Sequence, residues 1–174
     1  MCTDKYKVDK NLEAWLNDQP NECFPASGDT YKIRYKHISD HLANNYHNET
    51  EKMSIFSALK KGDCNADQIP YLTNHGKNHV NTVIKRATEL LQKAECEIIP
   101  YEGYLLLLAI QFHDVGIIFG RKEHEKKCSD IMEAIGSMAG QDQIEKRAII
   151  KIAAAHSGLK DDDGSKDIIS LLEK

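Results

Sequence analysis

Hydrophobic positions recur at three- and four-residue intervals along most of this chain, and alternation never persists long enough to suggest a strand. Val80, Val83, Ile84, Ala87, Leu90 and Leu91 form one helical stripe, and Cys128, Ile131, Met132, Ile135 and Met138 form another. Ile144, Ala148, Ile149, Ile152 and Ala153 make a third; Ile168, Ile169, Leu171 and Leu172 begin a fourth after the polar turn Asp161-Asp162-Asp163-Gly164. The stretch from Glu102 to about Asp114 is apolar nearly all round, which marks a helix buried at the centre of a bundle. Upstream, helices are predicted around Asp9–Asp18 and Tyr31–His47, separated by the breakers Pro20, Pro25 and Gly28. A short helix is predicted over Glu51–Lys61, ended by Gly62. The expected fold is all-α, a compact helical bundle. It divides near Gly62–Pro70 into an N-terminal helical extension, residues 1–62, packing on a core domain, residues 63–174.

Composition narrows the class without naming a function. The chain has 174 residues, 41 % of them hydrophobic and 29 % charged, ordinary values for a globular domain with a sizeable core. The longest uninterrupted apolar run, Tyr104–Ile110, is far shorter than the ~20 residues of a membrane helix, and charges near Met1 occupy the place of a signal peptide's apolar core. No membrane partner is therefore expected, and the scattered, odd set of five cysteines without a C-x-x-C pair fits reduced thiols in the cytoplasm. A net charge of −4 disfavours a generally basic nucleic-acid binder, although a local basic groove survives that test.

The eight histidines are the unusual feature, and their placement carries the chemistry. His79 shares a helix face with Val83 and Ala87. His113 ends the buried Leu-rich helix and is followed at once by Asp114. His124 lies four residues before Cys128, and His156 four after Ile152, both on inward stripes. A single histidine on an apolar face is usually a core residue satisfied by one hydrogen bond. Four inward imidazoles beside a carboxylate would carry a desolvation cost that a bound divalent cation relieves. Neutral histidine with carboxylate suits Mn, Fe, Co, Ni or Zn. By contrast His37 and His41, with Asp40, sit among polar residues and read as a solvated face, and His47 is assigned to the surface with them. The Asp161–Gly164 run lacks the alternating oxygens and closing Glu of a calcium loop.

The stretches Asn74-His75-Gly76-Lys77-Asn78-His79-Val80, Phe112-His113-Asp114-Val115-Gly116 and Ala154-Ala155-His156-Ser157-Gly158 resemble, in that order, the HD superfamily of metal-dependent phosphohydrolases. The resemblance spans Pro70 to the end. Gly120-Arg121-Lys122-Glu123-His124-Glu125 also looks like HD domains fused to GHKL-type ATPase modules. The resemblance implies that His79, His113 and Asp114 hold a first cation and that Asp114 bridges to a second held by His124 and His156. One or two ions are therefore implied, of the transition metals named above or Mg. It further implies cleavage of a phosphomonoester, nucleotide or phosphodiester by metal-activated hydroxide, so that a phosphorylated small molecule or nucleotide is the expected partner.

Three positions stay open within that resemblance. A histidine at the offset of His75 acts as general acid in cyclic-nucleotide phosphodiesterases of the superfamily; here it is that acid, or a cap or partner supporting the ligands. Arg121 either holds a phosphate oxygen through its planar fork or is a solvated charge. The late Asp that closes the family's first metal site has only Asp167 as a counterpart, at the start of its helix. The last stripe reaches Lys174 after barely two turns with no capping Gly, so a longer protein with a C-terminal domain is expected, with that acid just past Lys174. The rival functions are an HD module that binds a nucleotide or partner without turnover, and an HD nuclease.

Overall fold

The computed structural model describes residues 4–25, 28–52, 75–119, 124–135 and 143–155. Of these, 81 % are helical, which makes the fold all-α as the periodicity requires. The predicted helices over Glu51–Lys61, beyond residue 52, and over Ile168–Leu172 lie outside the described residues, as do Met138 and the Asp161–Gly164 turn.

The chain opens with a two-residue strand β1 (Tyr6–Lys7) and helix α1 (Leu12–Asp18). Asn11 caps α1, its side-chain oxygen accepting from the backbone N–H of Glu13, which satisfies one of the free donors of the first turn. Helix α2 (Gly28–Leu42) begins three residues earlier than predicted. Gly28, expected as a breaker, is its first residue. Helix α3 (Lys77–Lys93) leads into β2 (Glu97–Ile98), which pairs antiparallel with β1 through Tyr6 opposite Ile98 and Lys7 opposite Glu97. Helix α4 (Pro100–Phe112) follows, then a 3-10 turn (Val115–Phe119), α5 (His124–Ile135) and α6 (Gln143–Ala155).

Helix α4 is the axis of the bundle. Tyr104, Leu107, Leu108 and Phe112 are fully buried, and α1, α2, α3 and α6 all pack against it. With the turn that follows it, the stretch Pro100–Phe119 is apolar and long enough to cross a bilayer, although its uninterrupted apolar run is short. Within the fold it is the core helix, 72 % buried by its own neighbours.

The N-terminal helices share this core. Trp15 of α1 lies so close to Gly103 of α4 that a Cβ there would meet its ring at 2.6 Å, so only glycine admits the indole. Its Nε1 donates to the Lys7 carbonyl at 2.9 Å. Burying a side chain of this size contributes of order 2–3 kcal/mol, and Leu12, Leu16, Ile38 and Leu42 add to the same face. Thr88 of α3 accepts from the backbone N–H of Leu12 at 3.1 Å and donates to the carbonyl of Ile84 at 2.8 Å, tying α1 to α3.

Two stripes differ from the sequence reading. On α5, Cys128, Ile131, Met132 and Ile135 are buried as predicted. On α6 the inward face is Glu145, Ile149 and Ala153, while Ile144 is 75 % exposed. Glu145 stands one turn before Ile149 and is held by Arg34 of α2 (3.0 Å) and the hydroxyls of Tyr101 (3.0 Å) and Tyr104 (3.2 Å), so a charge replaces the expected isoleucine. Arg34 also stacks over the Tyr31 ring, 5.2 Å from its centroid.

Candidate metal centre

Three elements deliver their side chains to one point. The buried helix α4 ends at Phe112, with His113 at its C-cap in helical geometry and Asp114 next, so both emerge at the rim of the core and stay buried. Helix α3 starts at Lys77, capped by Gly76, and presents His79 in its first turn. His75 precedes that helix rather than belonging to it, yet its ring turns to the same point. His124 opens α5. A Cβ on Gly116 would lie 2.1 Å from the His124 carbonyl oxygen, so that glycine is what allows α5 to start this close to the His-Asp pair.

The carboxylate of Asp114 is the hub. Its Oδ2 lies 2.7 Å from His75 Nδ1, 3.0 Å from His113 Nε2 and 3.2 Å from His79 Nε2. Its Oδ1 faces His124 Nε2 at 3.3 Å. The Nε2 atoms of His79 and His113 are 3.1 Å apart, their rings stacked at 27°. His75 meets the His79 ring edge-on.

One hydrogen bond reveals how His113 is protonated. Its Nδ1 is 2.6 Å from the carbonyl oxygen of Ile110. A carbonyl only accepts, so Nδ1 carries the hydrogen and the neutral ring turns an Nε2 lone pair toward Asp114 and His79. Fixing a ligand histidine through its other nitrogen in this way is the usual support of a metal site.

The donor set fits a divalent cation. Separations of 3.0–3.2 Å among His79 Nε2, His113 Nε2 and Asp114 Oδ2 match the ~3 Å edge of a coordination shell with bonds of ~2.0–2.2 Å. His75, His79 and Asp114 likewise offer donor atoms within 4.8 Å of one another and could hold an ion. Of the residues expected at the site, His75, His79, His113, Asp114 and His124 are brought together. His156, Arg121 and Asp167 lie outside the described residues.

The sequence reading misplaced one histidine. His47, assigned to the surface, is buried with 2 % of its area exposed, on a π-helical turn (Ala43–His47) that extends α2. The inward residues of α2 are Tyr31, Tyr35, Ile38 and Leu42, and an α-helical register would bring Tyr46 inward next. The π turn, with its i→i+5 bonding, inserts a residue and hands that place to His47. Burial pushes the His47 imidazole's pKa down to about 4, so it is neutral near pH 7. Gln111 hydrogen-bonds its ring and in turn donates to the Tyr35 hydroxyl at 3.1 Å. A histidine five residues after a buried leucine, where four would keep phase, is the one trace this left in the sequence.

No curated protein and no solved structure matches this chain significantly. A family model described as HD-CE matches residues 69–172, which takes in every histidine of the centre. That match carries an HD-type domain but no ATPase module. Spanning more than half of the sequence, with the His-Asp pair at its geometric centre, it shows that the chain belongs to the HD-CE family.

Proposed function

We propose that this chain is a metal-dependent phosphohydrolase acting on a phosphomonoester, a nucleotide or a phosphodiester. A first cation would be held by His79 Nε2, His113 Nε2 and Asp114, and a second by the other side of the same carboxylate with His124 and His156. The observation that carries this reading is the division of Asp114: three imidazoles gather on Oδ2 and a fourth on Oδ1, the arrangement a bridging carboxylate needs. The imidazole-rich set favours Mn, Fe, Co, Ni or Zn over Mg, which prefers oxygen.

A divalent cation bound here supplies Lewis acidity toward a phosphoryl oxygen and a water nucleophile at neutral pH. The residues of the chain do the rest. Asp114, buried and ionised, accepts from Nδ1–H of His75 and so fixes that ring with Nε2 as the atom that takes and releases a proton. An imidazole backed by a carboxylate is a competent general acid for a leaving oxygen. Arg121, between the His-Asp turn and α5, would hold a phosphate oxygen in its fork. The free thiols Cys23, Cys96 and Cys128 fit a cytoplasmic setting.

The test is elemental analysis by plasma mass spectrometry of chelator-free protein, with a panel of nucleotides and phosphoesters assayed against several metals. The expected result is near-stoichiometric transition metal and turnover of at least one phosphoester, both lost in His113→Ala/Asp114→Ala. A double variant that keeps its metal and its turnover overturns the site. Metal without turnover of any phosphoester leaves a binding module in place of an enzyme.

A further inference from the structure

His47 is a buried imidazole that the reading above does not use. Its Nε2 is closed off from solvent and has no hydrogen-bond partner. A buried polar nitrogen left in that state costs free energy, and native structures keep one where something absent from the protein chain completes it. The groups whose charge reaches the ring are His113, Asp114 and His79, the residues of the candidate metal centre, with Gln111 hydrogen-bonding the imidazole. The π turn that carries His47 packs against the 3-10 turn following the His-Asp pair. With Gln111 Nε2 committed to Tyr35, its amide oxygen is left to accept from the ring, which would put the hydrogen on Nδ1 and leave the Nε2 lone pair bare. Irregular π turns inside helices often mark functional positions, and this one has a specific effect: it turns an imidazole inward in place of Tyr46.

We infer that His47 Nε2 is a further nitrogen donor of the divalent-cation centre, contributed by the N-terminal part of the chain outside the family match. The inference rests on the metal-centre reading proposed above. It makes the N-terminal helices part of the site rather than a cover on it. Residues 43–47 complete a shell that α3 and α4 begin. Its chemical consequence is a site richer in neutral imidazole, which favours Co, Ni or Zn over the harder cations.

Co2+ titration of the full 174-residue chain tests this, followed by visible absorption and by competition with a chelator. His47→Gln and His47→Leu should bind Co2+ about 10–100-fold more weakly than the parent chain, with an altered absorption band. Thermal unfolding supplies the second readout. Without metal, His47→Leu should be at least as stable as the parent, because an orphaned nitrogen is gone. With Co2+ the parent should gain more in Tm than either variant. Co2+ affinity within twofold of the parent and an unchanged spectrum in both variants would overturn the assignment while leaving the metal centre intact. A parent chain that takes up no Co2+ would overturn both.

Discussion

Ile110 and His113 are joined by a hydrogen bond of 2.6 Å from the imidazole Nδ1 to the backbone carbonyl, one turn back along the same helix. The local geometry of α4 therefore sets the tautomer of a histidine whose other nitrogen faces Asp114. Long-range 1H–15N NMR of metal-free protein should show His113 protonated at Nδ1 and bare at Nε2. Adding Zn2+ should move the Nε2 resonance and leave the Nδ1 proton in place. An Nε2–H tautomer in the metal-free chain would remove His113 from the ligand set.

Gly116→Ala isolates the placement of His124. The added methyl would sit 2.1 Å from the His124 carbonyl oxygen and 2.9 Å from Lys127 Cβ, and the first of these contacts is backbone, which cannot rotate away. The start of α5 must shift. Overpacking of this kind costs about 1–3 kcal/mol, read as a lower urea midpoint at unchanged slope. Because His79, His113 and Asp114 sit on other elements, a first cation should still bind while occupancy on the His124 side falls. Equal loss on both sides would mean that α5 supports the whole cluster.

How far the sequence reaches depends on how local each cause is. The run from Tyr104 to Phe112 is apolar on every side, so its burial and the His-Asp pair at its end follow from composition alone. His79 follows from the stripe it shares with Val83 and Ala87. His75 reached the site by another route, since the helix begins after it and the four-residue spacing to His79 was no guide. His47 was lost because a single inserted residue changes the phase of α2, and periodicity cannot show where a π turn falls. Glu145 was lost because its burial is set by Arg34, 111 residues away in sequence. The β1–β2 pair is two residues long on each side, too short for alternation to register.

The cysteines provide a probe of the α5 packing that is independent of metal. Cys128 is buried against the core, and that burial pushes its thiol pKa up to about 12, whereas Cys96 is exposed after α3. The thiolate is the reactive form, so at pH 8 the Cys128 thiol is almost wholly protonated as well as shielded. Iodoacetamide should modify Cys96 in the native protein and spare Cys128, a difference that peptide mass spectrometry reads and that urea abolishes. Equal native labelling of the two would place α5 off the core.

Arg34 and Glu145 test whether the N-terminal helices and α6 are one structural unit. Glu145 is 3 % exposed and ionised, with Arg34 as its charged partner and two tyrosine hydroxyls donating to its oxygens. Burial, and then the nearby Glu145 charge, raise the pKa of the Tyr104 hydroxyl far above its usual value, so it remains a donor across the accessible pH range. Arg34→Met removes the cation and leaves a buried carboxylate held by the tyrosines alone. Breaking a buried pair from one side costs about 3–5 kcal/mol, and the remaining donors put this case near 3. For a chain of this size that is a fall in Tm of roughly 6–12 °C. Adding Glu145→Gln removes the uncompensated charge and should restore at least half of the loss, because a neutral amide needs no counter-ion and still accepts from Tyr101 or Tyr104. Differential scanning calorimetry of the two variants decides it. An Arg34→Met protein that melts with the parent would mean that α2 and α6 are joined by apolar packing alone.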